Sequence, residues 1–244
     1  MTIAVIPSRF GSSRLQGKPL AMIAGKSMIQ RVYERAMASK AVTQAVVATD
    51  DQRIVDVVEA FGGKALMTSD SCRSGTDRVA ETAEILGLGP EEIIVNIQGD
   101  QPVFQPETID ELIAPFQLDP DLAMSTLAFK IVDQREITDP KDVKVTFDKQ
   151  GFALYFSRAQ IPFPRDGQKG VDYFKHLGFY AYKKAFLDKI VTLPTGRWER
   201  VEKLEQLRVL EFGFRIKVVV TPFDSPEIDL PEDIQRIEAK LLNA

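Results

Sequence analysis

In the first hundred residues, short apolar runs alternate with segments whose apolar residues recur at helical spacing. The apolar runs are typical of buried strands and lie at residues 2–7, 45–49, 64–67 and 93–97. The helical segments between them lie at residues 28–39, 54–61 and 77–86. Because this order is βαβαβαβ, the sequence predicts a mostly parallel sheet with helices on both faces. In such sheets, ligands bind at the carboxyl ends of the strands.

The second half of the chain adds strands and helices to the same unit. Helical patterns occupy residues 108–116, 184–193, 201–212 and 231–242, and strand patterns occupy residues 123–132, 143–148, 153–157, 177–182 and 217–221. Residues 160–175 are polar and rich in proline, glycine and charge, which favours an arm that leaves the sheet. We therefore predict one α/β domain over residues 1–244, with a mostly parallel, mixed central sheet flanked by helices and an inserted arm.

The composition is that of a globular protein and excludes several classes of function. With 244 residues, 44% of them hydrophobic, the chain can bury a substantial core. No apolar run approaches the ~18 residues of a membrane-spanning helix, and the net charge of −4 argues against general nucleic-acid binding. The single cysteine, Cys72, excludes an intramolecular disulfide. We expect a cytoplasmic protein that binds neither membranes nor nucleic acids.

The loop after the first predicted strand combines small residues with three cations. Residues 7–19 read PSRFGSSRLQGKP, with Arg9, Arg14 and Lys18 among glycines and serines. Small residues let backbone N–H groups approach a polyphosphate, and cationic side chains neutralise its charge. The loop is not a Walker P-loop, because Pro19 stands where that motif needs a serine or threonine for magnesium. A solvated basic loop is the alternative interpretation.

Residues 7–20 resemble the signature loop of the sugar nucleotidylyltransferases that use CTP, P-A-R-x-x-S-x-R-L-P-G-K-P-L. Further motifs match those of the 3-deoxy-manno-octulosonate (Kdo) cytidylyltransferases in order: VATD at 47–50, SGTDR at 74–78, NIQGD at 96–100, ALYFSR at 153–158, HLG at 176–178, LEQLR at 204–208 and PED at 231–233. The resemblance implies a nucleotide-diphospho-sugar transferase fold of Rossmann-like type. It also implies a homodimer that converts CTP and Kdo to CMP-Kdo and pyrophosphate for lipopolysaccharide biosynthesis.

The same resemblance implies which residues bind the nucleotide. Arg14 and Lys18 would hold the β- and γ-phosphates, within a loop that also contributes Arg9 and Ser12. The cytidine would be surrounded by Ser74, Gly75, Thr76 and Arg78. Apart from the resemblance, the segment 74–77 is equally a turn leading into a capped helix.

Attack of a sugar hydroxyl on the α-phosphorus requires that the phosphate charge be screened and the leaving pyrophosphate stabilised. Carboxylates with water suit Mg²⁺ in this task. The resemblance assigns Asp100 and Asp229 as the metal ligands, and it makes Asp100 a catalytic residue together with Arg14 and Lys18. Each aspartate has another interpretation, because loop aspartates are common in turns and as helix caps. Pro231, at the first position of the last predicted helix, favours a cap at Asp229.

The acidic sugar is expected on the other side of Asp100. The resemblance places around its hydroxyls the side chains of Gln98, His176, Tyr180, Glu205 and Gln206. Arg158 or Arg165 would pair with its carboxylate. A lone histidine such as His176 can also be purely structural, and the sequence points to no general base.

The chain departs from the Kdo enzymes beside the predicted metal ligand, where Gln101 replaces a glutamate. Losing this carboxylate removes a negative charge from the site, which could reflect altered metal affinity or a sugar with an extra positive group. Together with residues 161–166, 175–178 and 223–225, Gln101 resembles the branch that acts on 8-amino-3,8-dideoxy-manno-octulosonate. Two further alternatives are a cytidylyltransferase for sialic acid or methylerythritol phosphate, which the segments 176–178 and 204–208 disfavour, and a non-catalytic nucleotide-binding protein.

Overall fold

The structure, a computed structural model, describes residues 1–11, 15–168 and 170–242. The strands in this part of the chain are β1 (Thr2–Ser8), β2 (Met22–Ile23), β3 (Lys26–Ser27), β4 (Gln44–Thr49), β5 (Ala65–Met67), β6 (Ile93–Asn96), β7 (Met124–Lys130), β8 (Lys144–Phe147), β9 (Ala153–Ser157), β10 (Phe174–Lys183) and β11 (Lys217–Thr221). The helices are α1 (Met28–Ala38), α2 (Gln52–Ala60), α3 (Gly75–Ile85), α4 (Glu107–Leu118), α5 (Gln134–Thr138), α6 (Lys184–Thr192), α7 (Arg197–Glu202), α8 (Gln206–Glu211) and α9 (Pro231–Leu242). A short 3₁₀ turn covers Lys18–Leu20.

The central sheet has nine strands in the described part of the chain, and its main path runs β11-β7-β10-β6-β1-β4-β5. The β8–β9 hairpin is attached to β10. Strand β1 is parallel to β4 and β6, whereas β10 is antiparallel to both β6 and β7. The predicted α/β fold with a mixed central sheet flanked by helices is therefore confirmed, and the parallel pairings predominate in its N-terminal half.

Helices cover both faces of the sheet, which explains the unbroken apolar character of β1. Ala4 and Ile6 pack into one core with α1, α2 and α4. Ile3 and Val5 point the other way, into a second core with α3 and α6. All four side chains are at most 1% exposed. Burying each large aliphatic side chain contributes about 1.5–3 kcal/mol, so this strand anchors the loop that follows it.

The predicted helix over residues 201–212 is wrong, because the structure has two short helices there. Helix α7 ends at Glu202, and Lys203 adopts a left-handed conformation with φ of 56°. Leu204 then turns into the core, where it is 7% exposed, and α8 begins at Gln206. This break places Glu205 at the start of α8 rather than in the middle of a helix.

Between β9 and β10, the described residues 158–168 and 170–173 form neither helix nor strand. The segment runs outside the sheet, but β10 begins at Phe174. The last two residues of the predicted arm are thus part of the sheet. Among the residues that the structure describes, no helix is both long and apolar enough to cross a membrane.

Candidate active site

Three loops meet at one edge of the sheet because β1, β4 and β6 are parallel neighbours. They follow the carboxyl ends of these strands and carry Lys18, Asp50 and Asp100. Strand β10 runs in the opposite direction, with Tyr180 opposite Asn96 near the end of β6. The beginning of β10 therefore lies beside the same edge.

Lys18 stands between the two carboxylates that were predicted to bind metal. Its Nζ atom is 2.7 Å from Oδ2 of Asp100 and 3.0 Å from Oδ1 of Asp229. Burial on its own would lower the pKa of the Lys18 ammonium, but the two carboxylates outweigh burial and raise this pKa. The structure thus brings three predicted site residues together. Both aspartates lie close enough to contact the same cation, here the Lys18 ammonium.

The loop before Lys18 is closed by a backbone hydrogen bond, in which the N–H of Gly17 donates to the carbonyl of Phe10 over 3.0 Å. Gly17 has φ of 68°, and a Cβ atom there would lie 3.2 Å from the Phe10 ring. Both observations require glycine at this turn. The turn directs the Lys18 side chain towards Asp100. The predicted nucleotide ligands Ser12 and Arg14 lie outside the described residues.

The loop that carries Asp229 is fixed from both sides. The N–H of Ile228 donates to the carbonyl of Asp100 over 2.9 Å. The carboxylate of Asp233 accepts hydrogen bonds from the N–H groups of Asp229 and Leu230, each over 3.0 Å. The Asp233 carboxylate thus fixes the backbone that leads into α9, and Oδ1 of Asp229 accepts a hydrogen bond from Lys18. Asp233 therefore shares in fixing the start of α9, a role that was considered for Asp229.

Glu227 adds a third carboxylate that sequence reasoning missed. Its Oε1 accepts a hydrogen bond from the Gln101 amide over 3.1 Å. The residue is exposed, and the groups around its carboxylate partly desolvate it. This desolvation, followed by the charges of Asp100 and Asp229, raises the pKa of Glu227 to about 7. Its position two residues before Asp229 is the signal that could have identified it.

The donor set at this point suits a hard cation. Asp100 and Asp229 offer carboxylate oxygens to one position, which is the ligand type that Mg²⁺ prefers. No group of three or more histidine, cysteine, aspartate or glutamate side chains able to hold a metal ion occurs among the residues that the structure describes. A magnesium ion here would complete its coordination with water and phosphate oxygens, as it commonly does in nucleotide sites.

Glu205 connects the predicted cytidine loop to the predicted sugar residues. Its carboxylate accepts hydrogen bonds from Ser74 Oγ over 3.0 Å and from Thr76 Oγ1 over 2.6 Å. Ser74 Oγ also accepts from the N–H of Asp77 and so caps α3. Burial raises the pKa of Glu205, against the opposing effect of the two hydroxyls. Gly75 packs against Pro7, where an added Cβ would lie 3.5 Å from the proline ring.

The two described arginines among the predicted nucleotide ligands, Arg78 and Arg9, are placed differently. Arg78 is fully buried, and its guanidinium donates hydrogen bonds to Asp50 and to the Thr68 hydroxyl. It therefore supports the start of α3 from the interior. Arg9 is exposed, and its guanidinium donates to the carbonyl of Cys72. Arg9 thus ties the loop after β1 to the segment before Ser74.

The predicted sugar residues lie around a bulge in β10. Nε2 of Gln98 donates to the carbonyl of Gly178 over 3.0 Å, and the register between β10 and β7 shifts between His176 and Tyr180. Nε2 of His176 lies 2.8 Å from Thr126 Oγ1, and the histidine ring centroid is 5.3 Å from that of Tyr180. Burial lowers the pKa of His176 to about 3 and raises that of Tyr180. Both rings are thus uncharged at neutral pH.

The remaining predicted sugar ligands are not equally available. Arg158 is held by backbone carbonyls, with Nε donating to Glu202 over 2.8 Å and Nη1 to Pro140 over 2.9 Å. Arg165 is exposed in the segment between β9 and β10. Gln206 is 5% exposed and begins α8 beside Glu205. Arg158 is thus engaged with backbone carbonyls, whereas Arg165 is exposed.

Known proteins resemble this chain along nearly its whole length. The family model described as Cytidylyltransferase matches residues 3–216. A 3-deoxy-manno-octulosonate cytidylyltransferase of Desulfatibacillum aliphaticivorans is 63% identical over 239 residues, which cover 98% of each chain. An 8-amino-3,8-dideoxy-manno-octulosonate cytidylyltransferase of Shewanella frigidimarina is 52% identical over 97% of each chain.

A solved structure agrees with these sequence matches. The structure of a CMP:2-keto-3-deoxy-manno-octonic acid synthetase complexed with CTP is 41% identical and has a TM-score of 0.93. The match covers 99% of this chain and 98% of that one. With the Lys18–Asp100–Asp229 cluster at the carboxyl edge of a mixed α/β sheet, the chain belongs to the cytidylyltransferase family.

Proposed function

We propose that this chain transfers the cytidylyl group of CTP to the anomeric hydroxyl of 3-deoxy-manno-octulosonate, giving CMP-Kdo and pyrophosphate. The observation that carries the proposal is the convergence of Lys18, Asp100 and Asp229 at the carboxyl edge of the sheet. Close relatives are named for this activity, and a structural neighbour was solved with CTP.

Lys18 is the described cation best placed to act on the phosphates. Its ammonium is charged at neutral pH, and Asp100 and Asp229 outweigh burial and raise its pKa further. It can screen the negative charge of the triphosphate and stabilise the departing pyrophosphate. Arg14 is proposed to assist it from the same loop.

Asp100 and Asp229 are proposed to hold Mg²⁺. When bound, this ion would screen the α-phosphate and increase the acidity of the attacking hydroxyl. The chain's own contribution is to fix both carboxylates before substrate arrives, through the Ile228–Asp100 backbone bond and the Asp233 cap. Such preorganisation limits the reorganisation required during the reaction.

The sugar is proposed to bind along β10 and the start of α8. His176 and Tyr180 are uncharged there and can exchange hydrogen bonds with hydroxyl groups. Gln98 and Gln206 add amides, and Arg165 supplies a charge for the sugar carboxylate. Because burial lowers the pKa of His176 to about 3, we assign it a hydrogen-bonding role and not that of a general acid.

The alternative acceptor is 8-amino-3,8-dideoxy-manno-octulosonate. The exposed carboxylate of Glu227, which accepts a hydrogen bond from Gln101, supports this acceptor. We propose that this carboxylate pairs with the ammonium of the amino sugar. A relative of 52% identity is named for this acceptor.

We also propose that the product enters lipopolysaccharide biosynthesis, that the chain works in the cytoplasm, and that it forms a homodimer. Phe163, in the segment between β9 and β10, is 78% exposed and supports the homodimer. Tyr173, which ends the same segment, is 7% exposed and packs within the chain. The dimer contact is therefore proposed to use the outer part of the arm.

The proposal is tested by measuring pyrophosphate release with CTP and Mg²⁺, with Kdo and its 8-amino analogue supplied in parallel. ATP, GTP and UTP serve as nucleotide controls. We expect release with CTP and at least one of the two sugars, and the preferred sugar identifies the acceptor. Absence of release with both sugars would contradict the proposed function.

A further inference from the structure

Gln101 is a fully buried amide whose polar atoms are all engaged. Its exposure is 0%. Nε2 donates to the carbonyl of Leu177 over 2.7 Å and to Oε1 of Glu227 over 3.1 Å, while Oε1 accepts from Ser225 Oγ over 2.6 Å. Three segments therefore meet at one side chain: the turn after β6, the bulge of β10 and the loop before α9.

The partners of Gln101 explain why this position carries an amide. The Leu177 carbonyl and the Glu227 carboxylate are both acceptors, so the side chain between them must supply two donor hydrogens. A glutamate here would supply none when ionised, and its charge would face that of Glu227. The amide at Gln101 and the carboxylate at Glu227 thus form a matched pair.

The hydrogen bonds of Gln101 cross between the two segments that carry the predicted metal ligands. Gln101 directly follows Asp100, and its partners Ser225 and Glu227 precede Asp229 by four and two residues. The backbone bond from Ile228 to Asp100 crosses the same gap over 2.9 Å. The side chain of Gln101 provides the second connection, and it fixes the loop before Asp229 at two points.

We propose that Gln101 is a positioning residue of the cation site. It holds the Asp229 loop against the Asp100 turn, so that the two carboxylates converge, and its amide also holds the Glu227 carboxylate. The inference rests on the proposed function, in which Asp100 and Asp229 bind the divalent ion. Groups that orient metal ligands without touching the metal commonly change metal affinity by about 10–100-fold when removed.

The test uses the variant Gln101→Met, which has a similar volume and lacks all three hydrogen bonds. Calorimetry would measure the affinity for CTP in the presence of Mn²⁺ and again in EDTA, for the full chain without sugar. The ratio of the two affinities reports the contribution of the metal and does not depend on turnover. We expect this ratio to fall at least about tenfold in Gln101→Met, with affinity in EDTA unchanged.

The test includes a second variant of the same hydrogen-bond network and one control variant. Ser225→Ala removes one of the three hydrogen bonds and should lower the ratio less, so a poorly folded Gln101→Met protein leaves a second variant to measure. Gln160→Met loses one side-chain hydrogen bond, to the Tyr173 hydroxyl, but none to the Asp229 loop, and it should keep the wild-type ratio.

Failure of this inference can be told apart from failure of the proposed function. If Asp100→Asn abolishes the effect of Mn²⁺ while Gln101→Met and Ser225→Ala retain it, the positioning role of Gln101 is wrong and the metal site stands. If Asp100→Asn retains the full effect of Mn²⁺, the metal assignment and the positioning role are both overturned.

Discussion

The Nζ atom of Lys18 lies 2.7 Å from Oδ2 of Asp100, although 82 residues separate the two in the chain. The contact joins the loop after β1 to the turn after β6, and these strands are parallel neighbours. The Lys18 side chain is 13% exposed and that of Asp100 is 28% exposed. Because the pair is shielded from water, its charges act more strongly than those of a surface ion pair.

Replacing Lys18 with methionine should remove this charge while keeping the length of the side chain. We expect kcat to fall about 10²–10³-fold, since loss of one preorganised group that stabilises transition-state charge has effects of this size. Steady-state kinetics of pyrophosphate release would measure it. Lys26→Met is the matched control, because Lys26 pairs with Glu34 on the surface and should leave kcat unchanged. A loss below tenfold at Lys18 would contradict its role at the phosphates.

Asp229→Asn should weaken the use of Mg²⁺ without removing the nucleotide site. We expect the Mg²⁺ concentration for half-maximal activity to rise at least about tenfold, because an amide is a weaker ligand for this ion than a carboxylate. Titration of activity with Mg²⁺ at fixed CTP would show this shift. Asp121→Asn, in an exposed loop, should behave like the wild type. An unchanged Mg²⁺ requirement in Asp229→Asn would contradict a metal-binding role and leave Asp229 with a structural role in the loop before α9.

Much of the fold was predictable because β1, β4 and β6 can each be recognised from a short apolar run in the sequence. Their apolar runs are buried on both faces, and the helices between them carry the expected spacing. The positions in the sheet of the strands from the second half of the chain were not predictable. Strand β10 lies between β6 and β7, and these pairings join segments that are distant in sequence. The break at Lys203 was missed because apolar spacing continues across it, while the left-handed turn depends on tertiary packing.

The site was partly predictable from its position in the sheet. Lys18 and Asp100 follow strands whose carboxyl ends meet, and the resemblance supplied Asp229 as their partner. Glu227 and Asp233 were missed because each acts through a contact that folding creates. Arg78 was predicted at the nucleotide, and its pairing with Asp50 in the interior depends on packing that the sequence pattern does not record.

Glu205→Ala should affect the nucleotide more than the sugar. The variant leaves the hydroxyls of Ser74 and Thr76 without their acceptor, so the loop predicted to bind cytidine loses its support. We expect KM for CTP to rise about tenfold, which corresponds to about 1.4 kcal/mol. Steady-state kinetics with each substrate varied in turn would separate the two KM values.

Glu211→Ala is the matched control for Glu205→Ala. Glu211 ends α8 and accepts hydrogen bonds from the N–H groups of Arg197 and Trp198, away from Ser74. It should lower stability and leave KM for CTP unchanged. If the two variants raise this KM equally, the effect of Glu205 is a general loss of stability.

His176 should make the chain less stable at acidic pH. Its pKa is about 3 in the folded chain and ~6.5 when unfolded, so the unfolded state binds the proton first as the pH falls. The free energy of unfolding should be insensitive to this group above about pH 6.5 and should fall between about pH 6.5 and 3, by at most about 1.4 kcal/mol per pH unit. Urea denaturation across this range would measure the slope, and His176→Gln should make it shallower. Equal slopes would show that His176 is readily protonated in the folded chain.

The most direct test of the account is ³¹P NMR of the purified chain with CTP, Mg²⁺ and either Kdo or its 8-amino analogue. We predict a new phosphodiester resonance of a CMP-sugar together with one pyrophosphate for each CTP consumed, and neither signal in Asp100→Asn. Pyrophosphate with free CMP, or a CMP-sugar formed equally well by Asp100→Asn, would contradict the assignment of cytidylyl transfer to this site.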